Sequence, residues 1–304
     1  MPGRAQKQQS WSNPERVRGV RNTALASFFL GWAPILGKLA YGQGVTPFTL
    51  AAARTLVAVI LLWVGYGLFW RAYLRVTWRE LAGCIAVGAV NGIGSLLYYS
   101  GLSRLDASLA SFLNTLYLLW VVLFLTASGQ PVRLLTLARL ALAMGGVYLL
   151  TGTGVEKPDW LGAMLMMASA ATYGWHLVMG QWVLADVPSR TATPYILTAM
   201  AVTVGIARVL QRVALETISL AGWGAVVVLG ITTALSRILM FAGLQRLGGI
   251  EAALVSLLEL LIALGLAFFL LGERLTLLQW IGGGVLVISI FLGEWEEDVK
   301  GAAG

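Results

Sequence analysis

The sequence carries almost nothing with which to do redox or metal chemistry: one cysteine, Cys84, and one histidine, His176, in 304 residues. A single cysteine excludes a disulfide framework and any Cys-cluster metal site, and one histidine gives zinc no ligand set. No metal and no cofactor is expected. Charge is scarce as well. Charged residues are 12% of the chain, hydrophobic residues 58%, and mean hydropathy is +0.80, outside the usual composition of soluble globular domains. There is no phosphate-binding G-x-x-x-x-G-K-[ST] and no soluble stretch large enough for an ATP-binding domain. Most of such a chain belongs in lipid.

Glycine and tryptophan are abundant, at 36 and 12 residues. Small residues allow close helix contacts in a bilayer, and indole rings favour its interfaces. Trp11, Trp70, Trp78 and Trp160 read as interface anchors. The net charge of +7 is scattered through short loops and forms no basic face, so no nucleic-acid partner is expected.

About 20 apolar residues cross the hydrocarbon core, which marks ten spans near residues 23–41, 48–70, 81–101, 108–127, 134–152, 160–182, 194–212, 221–243, 251–271 and 276–293. Pro47, Pro131, Pro158, Pro188 and Pro194 fall in loops or first helical turns, where the missing N–H costs little. Only Pro34 lies inside a span, where it can kink the helix. Residues 1–22 read as a retained cytoplasmic tail, because the apolar run after them lacks a small-residue cleavage site. With the N-terminus inside, the inner segments hold Arg4, Lys7, Arg16, Arg18, Arg21, Arg71, Arg75, Arg79, Arg133, Arg139, Arg190, Arg246 and Lys300. The outer segments hold only Arg104, Lys157, Arg208, Arg212 and Arg274. That bias follows the positive-inside rule and places both termini in the cytoplasm, with residues 294–304 as the second tail.

The two halves repeat. Gly31-Trp32 and Gly37-Lys38 precede Gly174-Trp175 and Gly180-Gln181 by 143 residues, and Gly101-Leu-Ser-Arg-Leu105 precedes Gly243-Leu-Gln-Arg-Leu247 by 142. Five spans per unit put the second copy in the membrane upside down, a common plan of secondary transporters whose substrate site lies between the repeats. The units are residues 23–152 and 160–293.

The motifs, in order, resemble the EamA type of drug/metabolite transporter. They are Gly31 with Lys38, Thr49-Leu-Ala-Ala-Ala-Arg54, Gly174-Trp175, Gly243 to Ala253, and Leu258-Glu259 with Gly272-Glu-Arg-Leu275. The family often has proline where this chain has Leu118 and Leu260, and Gly-Glu where it has Gln130-Pro131. The resemblance implies a ten-helix, all-α membrane protein, two inverted five-helix repeats around a central cavity, in a bacterial inner membrane.

A charge at mid-membrane costs about 2.5–3.5 kcal/mol on the insertion scale. Arg237 and Glu259 bear that cost, and at the matching first-half positions stand Ser95 and Tyr117. The fold does not demand a charge there. Two readings stand: Arg237 grips a substrate anion through its planar fork of donors, or Arg237 and Glu259 pair and pin two helices. Glu259 is also a candidate proton carrier, and His176 either shares that duty or bridges helices. Helical spacing places Asn91, Ser95 and Tyr99 on one face of the third span, and Thr233, Arg237 and Phe241 on the matching face of the eighth. Asn114 and Tyr117 stack on the fourth span as Ser256 and Glu259 do on the ninth. Trp32 and Trp175 either stack on a ligand or pack. Lys38 and Arg54 lie toward outer span ends, where long side chains reach water, and read as structural or gating residues.

The candidate substrate-binding set is therefore Arg237, Glu259, His176, Trp175, Trp32, Asn91, Ser95, Tyr99, Asn114, Tyr117 and Thr233. It belongs to a secondary transporter, an exporter or exchanger of small organic metabolites. The resemblance and Arg237 favour amino acids or related zwitterionic or anionic solutes, ahead of lipid-linked or nucleotide-linked sugars. Protons are the candidate coupling ion, and the protein is a monomer or homodimer in the lipid bilayer. An intramembrane serine protease built on a buried serine and His176 is the reading from another class; no enzyme is expected. Reporter fusions to both termini and near residues 75, 130, 188 and 247 are predicted to report the cytoplasm. A single terminus outside breaks the inverted-repeat plan.

Overall fold

The computed structural model describes residues 14–105, 107–130, 134–151, 159–212, 217–271, 276–278, 280–285, 287–289 and 292. The C-terminal tail, the start of the N-terminal tail with Trp11, the loop at 152–158 and the motif at 272–275 lie outside them. Among the described residues the chain is helical and has no strand. The α-helices are α1 (Pro14–Leu30), α2 (Ala33–Tyr41), α3 (Pro47–Phe69), α4 (Trp78–Leu102), α5 (Ala107–Thr115), α6 (Tyr117–Ala127), α7 (Leu134–Thr151), α8 (Trp160–Asp186), α9 (Ser189–Leu210), α10 (Leu220–Leu247), α11 (Gly249–Ser256) and α12 (Leu258–Leu271).

Among the described residues, seven stretches are long and apolar enough to cross a membrane: Pro14–Tyr41, Pro47–Phe69, Trp78–Leu102, Leu109–Ala127, Ser189–Leu210, Leu220–Leu247 and Gly249–Leu270. Two shorter apolar helices, Leu134–Gly146 and Trp280–Ser289, follow in the places of two further expected spans. The remaining one, α8, is 27 residues long, about 40 Å at helical rise. Ser169, Thr172, His176 and Gln181 dilute its apolar character, and it is not among the seven.

The helix ends are set by local chemistry. Thr77 and Glu80 form a reciprocal capping box at the start of α4, satisfying two orphan donors at once. Asp159 caps α8, accepting from the N–H groups of Leu161 (2.9 Å) and Gly162 (3.1 Å). The Gly162 N–H and the Arg104 guanidinium hold its carboxyl below the usual value. Outward faces are apolar: Leu56, Ile60 and Val64, spaced four apart on α3, are each more than half exposed. In water such a stripe is a liability; in a bilayer it is the lipid contact.

Three of the apolar stretches are broken. The first gives way at Gly31-Trp32, just before Pro34, whose ring removes the N–H that the next turn needs. The other two break at Leu116, between α5 and α6, and at Leu257, between α11 and α12. These lie in corresponding places of the two halves.

Close helix approaches repeat with the halves exchanged. A Cβ built on Gly31 would lie 3.0 Å from the Glu259 carbonyl oxygen, and one on Gly174 would lie 3.0 Å from that of Tyr117. Likewise Gly88 packs on the Ile196 carbonyl and Gly230 on the Arg54 carbonyl. Each contact is the other with first-half and second-half residues swapped, as a pseudo-two-fold axis requires. Ion pairs follow suit, Arg104–Asp159 and Arg246–Glu15 both closing at 3.0 Å. At one end Arg139 also pairs with Glu251 at 2.7 Å and donates to the Ser289 carbonyl, with Arg16 3.7 Å from the same carboxylate.

Because a side chain at Gly88 or Gly230 would collide with backbone that cannot swing away, Gly88→Val and Gly230→Val are each predicted to lose about 1–3 kcal/mol of stability in detergent. Gly65→Ala, with open space around its Cβ, should be neutral or slightly stabilising. Equal melting temperatures for all three variants would contradict the packing.

Candidate functional site

The breaks meet at a cavity. It encloses about 760 Å³ of non-protein space, part of it continuous with solvent. The α1–α2 junction contributes Leu30, Gly31, Ala33 and Pro34. Arg54 comes from α3, Asn91, Gly94, Ser95, Tyr98 and Tyr99 from α4, and Ser111, Asn114 and Thr115 from α5. Ser169 and Tyr173 come from α8, Arg237 from α10, and Glu259, Leu260 and Ala263 from α12. Interrupted helices at membrane depth expose backbone groups, and such backbone is tolerated where protein buries it or a cavity hydrates it.

Two guanidiniums face this space. Arg54, 6% exposed, donates through Nη1 to Thr233 Oγ1 at 2.8 Å and through Nη2 to Ser95 Oγ at 2.6 Å. Its Cζ lies 4.7 Å from the Tyr99 ring centroid, within cation–π range. Arg237, 5% exposed, donates through Nη2 to Asn91 Oδ1 at 3.3 Å, and its Cζ is 5.7 Å from the Tyr173 centroid. One face of α4 thus holds both cations, Asn91 one and Ser95 with Tyr99 the other.

Neither set of donors is spent. Arg54 Nε, Arg237 Nε and Nη1, and Asn91 Nδ2 are buried without a hydrogen-bond partner among the described residues. A buried polar group left unpaired costs about 1–3 kcal/mol, and more when charged. Glu259 lines the same cavity, in the first turn of α12 just past the break. Among the described residues no ion pair joins it to Arg237 or to Arg54.

Six of the candidate residues thus come together on the cavity wall: Arg237, Glu259, Asn91, Ser95, Tyr99 and Asn114. The other five stand behind or away from it. Thr233 supports Arg54 from the rear. Tyr117 is fully buried, its hydroxyl donating to the Ala253 carbonyl at 3.2 Å. Trp32 packs against the cluster around Leu36 and Leu50. Trp175 makes edge contacts with Phe124 and Trp182, at 5.1 and 5.5 Å. His176 is fully buried, with Nδ1 3.3 Å from the Val87 carbonyl and its ring between those of Tyr173 and Phe241. The helix period explains Trp175: two residues past Tyr173 it is turned to about the opposite side of α8 from the Ser169–Tyr173 face. His176, three past Tyr173, stays on that face one turn further along, where the Tyr173 and Phe241 rings flank it.

Arg54, Tyr98, Ser111, Thr115, Ser169 and Tyr173 also line the wall but were not among the candidates. Spacings of three and four tie Ser111 to Asn114 and Thr115, and Ser169 to Tyr173, so those faces carried a usable signal. For Arg54 depth misled. Counted along its helix it sits near an end, yet α4 and α10 close over it and keep it from water.

A multi-span helical protein whose matched halves close around a charged, polar cavity has the build of a membrane carrier. The chain belongs to the EamA-like transporter family, whose model matches it twice, over residues 18–152 and 160–293, and so to the drug/metabolite transporter superfamily. It is 28% identical over 266 residues to the uncharacterized transporter YcbK of Bacillus subtilis (strain 168), covering 83% of this chain and 85% of that one. A solved crystal structure superposes with a TM-score of 0.72 at 19% identity, over 89% of this chain and 94% of its own. At that identity the likeness is one of fold.

His176→Ala is predicted to lose about 2–4 kcal/mol of stability in detergent through the void it leaves, with ligand affinity held within about twofold. A tenfold loss of affinity at unchanged stability would instead put His176 in the site.

Proposed function

We propose that the protein is a secondary active transporter, an exporter or exchanger, for amino acids or related zwitterionic and anionic metabolites. It works by alternating access between two inverted five-helix halves. The ten crossings would be the seven long apolar stretches together with α8 and the two shorter apolar helices. The family resemblance favours a bacterial inner membrane, and the arginine bias favours both termini in the cytoplasm. In that orientation the lining of α3, α4 and α5 lies in the outer halves of their spans.

The observation that carries the reading is Arg237: a guanidinium in mid-span, on the wall of a cavity, with two buried nitrogens that have no hydrogen-bond partner among the described residues. A carboxylate is the planar acceptor that such donors fit. Asn91 holds one nitrogen and orients the rest. Tyr98, Tyr99 and Tyr173 offer apolar ring surface beside it, and Glu259 is the candidate proton-coupling group. The protease reading finds no support here. Ser95 is committed to Arg54, and His176 does not reach the cavity wall.

Lysine keeps the charge but loses the fork, so Arg237→Lys should insert and fold while affinity falls by about 1.5–3 kcal/mol, ten- to a hundredfold. The comparison of Arg237→Ala, Glu259→Ala and the double variant, read for both stability and binding, separates a clamp from a helix pin. A clamp abolishes binding with or without Glu259. Recovery of binding in the double variant would rule it out.

A further inference from the structure

An anion held at Arg237 leaves Arg54 without a task and Glu259 without a counter-charge from the solute. Arg54 lines the same cavity, and its partners, Ser95, Thr233 and the Tyr99 ring, are all neutral. They fix the guanidinium in place but do not cancel its charge, and its Nε stays buried and unpaired among the described residues. The two cations are anchored one helical turn apart on α4, Arg237 through Asn91 and Arg54 through Ser95, a separation of about 6 Å along that axis. A short carbon chain with an acid group at each end spans such a gap. Glu259 adds a third charge of the opposite sign, again without an ion-pair partner among the described residues.

With these side chains ionised the cavity holds two positive groups and one negative. Its complement is a solute with two negative groups and one positive. Uncompensated charge is expensive away from water, and a solute of that pattern answers it group for group. We propose that the cavity takes an acidic amino acid, with its two carboxylates on Arg237 and Arg54 and its ammonium on Glu259. This rests on the anion reading of Arg237 and narrows it from amino-acid-like solutes in general to dicarboxylic ones. Solutes that lack one group are discriminated against by what they leave behind. Glutamine strands Arg54, and glutarate strands Glu259. A site built for a polar group rejects the analogue without it, because its own buried partner is then unpaired.

The test is equilibrium binding of glutamate, aspartate, glutamine and glutarate to the purified full chain in detergent, by calorimetry. Glutamate or aspartate should bind about ten- to a hundredfold more tightly than either glutamine or glutarate. Arg54→Gln should abolish the preference for glutamate over glutamine, and Glu259→Gln should abolish the preference for glutamate over glutarate. Equal affinities of the wild-type chain for glutamate and glutamine, or for glutamate and glutarate, overturn the proposal without recourse to any variant. Should Arg54→Gln not fold, the wild-type comparisons still decide. The two readings fail separately. Loss of glutamate preference while Arg237→Gln still abolishes binding removes only the acidic amino acid. Binding of all four solutes unchanged by Arg237→Gln, or no binding of any to the wild-type chain, removes both.

Discussion

A guanidinium taken out of water needs acceptors for five N–H bonds, and a helical bundle in lipid has few to give. That constraint organises this molecule. Arg54 and Arg237 both draw on one face of α4, which presents Asn91, Ser95 and Tyr99 in register over about two turns. α3, which carries Arg54, therefore packs against both α4 and α10, and Arg237 reaches across from α10 to α4 with its side chain. The contact between α3 and α10 is made where a side chain is missing: Gly230 of α10 sits on the carbonyl of Arg54 itself. Charge, its hydrogen bonds and the close backbone contact are one construction.

Much of this could be read in the chain. Hydropathy located the apolar stretches, and the paired Gly31-Trp32 and Gly174-Trp175 gave the repeat that the exchanged glycine contacts display in space. Pro34 announced the first helix break. The breaks at Leu116 and Leu257 could not be anticipated in the same way, because leucine is among the better helix formers. Nothing local stops the helix there, and next to each break a glycine of the other half packs on the backbone at Tyr117 or Glu259. Tertiary contact overrides propensity, and a single sequence does not display tertiary contact.

The wall of the site was legible where a polar residue recurred at helical spacing on one face, as with Asn91, Ser95 and Tyr99. It was less legible where rotation about the axis mattered more than proximity in sequence. Trp175 lies two residues from Tyr173, yet it turns into packing against Phe124 and Trp182 while Tyr173 meets the cavity; His176 shares the face of Tyr173 but is flanked by its ring and that of Phe241. Arg54 shows a different failure. Distance along a helix measures depth in the membrane, but access to water depends on what stands alongside.

The repeat also has a consequence for how a bound molecule can lie. In a perfectly two-fold site every pose has an equivalent twin, and that degeneracy favours binding by RT ln 2, about 0.4 kcal/mol. Here the degeneracy is lifted. Arg54, Arg237 and Glu259 each stand opposite an uncharged mate, Ile196, Ser95 and Tyr117 in turn. A guest with distinct ends therefore has one preferred heading, fixed by side chains rather than by the frame. Under the proposed alternating access, motion of one half against the other would leave those side chains on their own helices, so the heading would belong to the protein and not to whichever side is open.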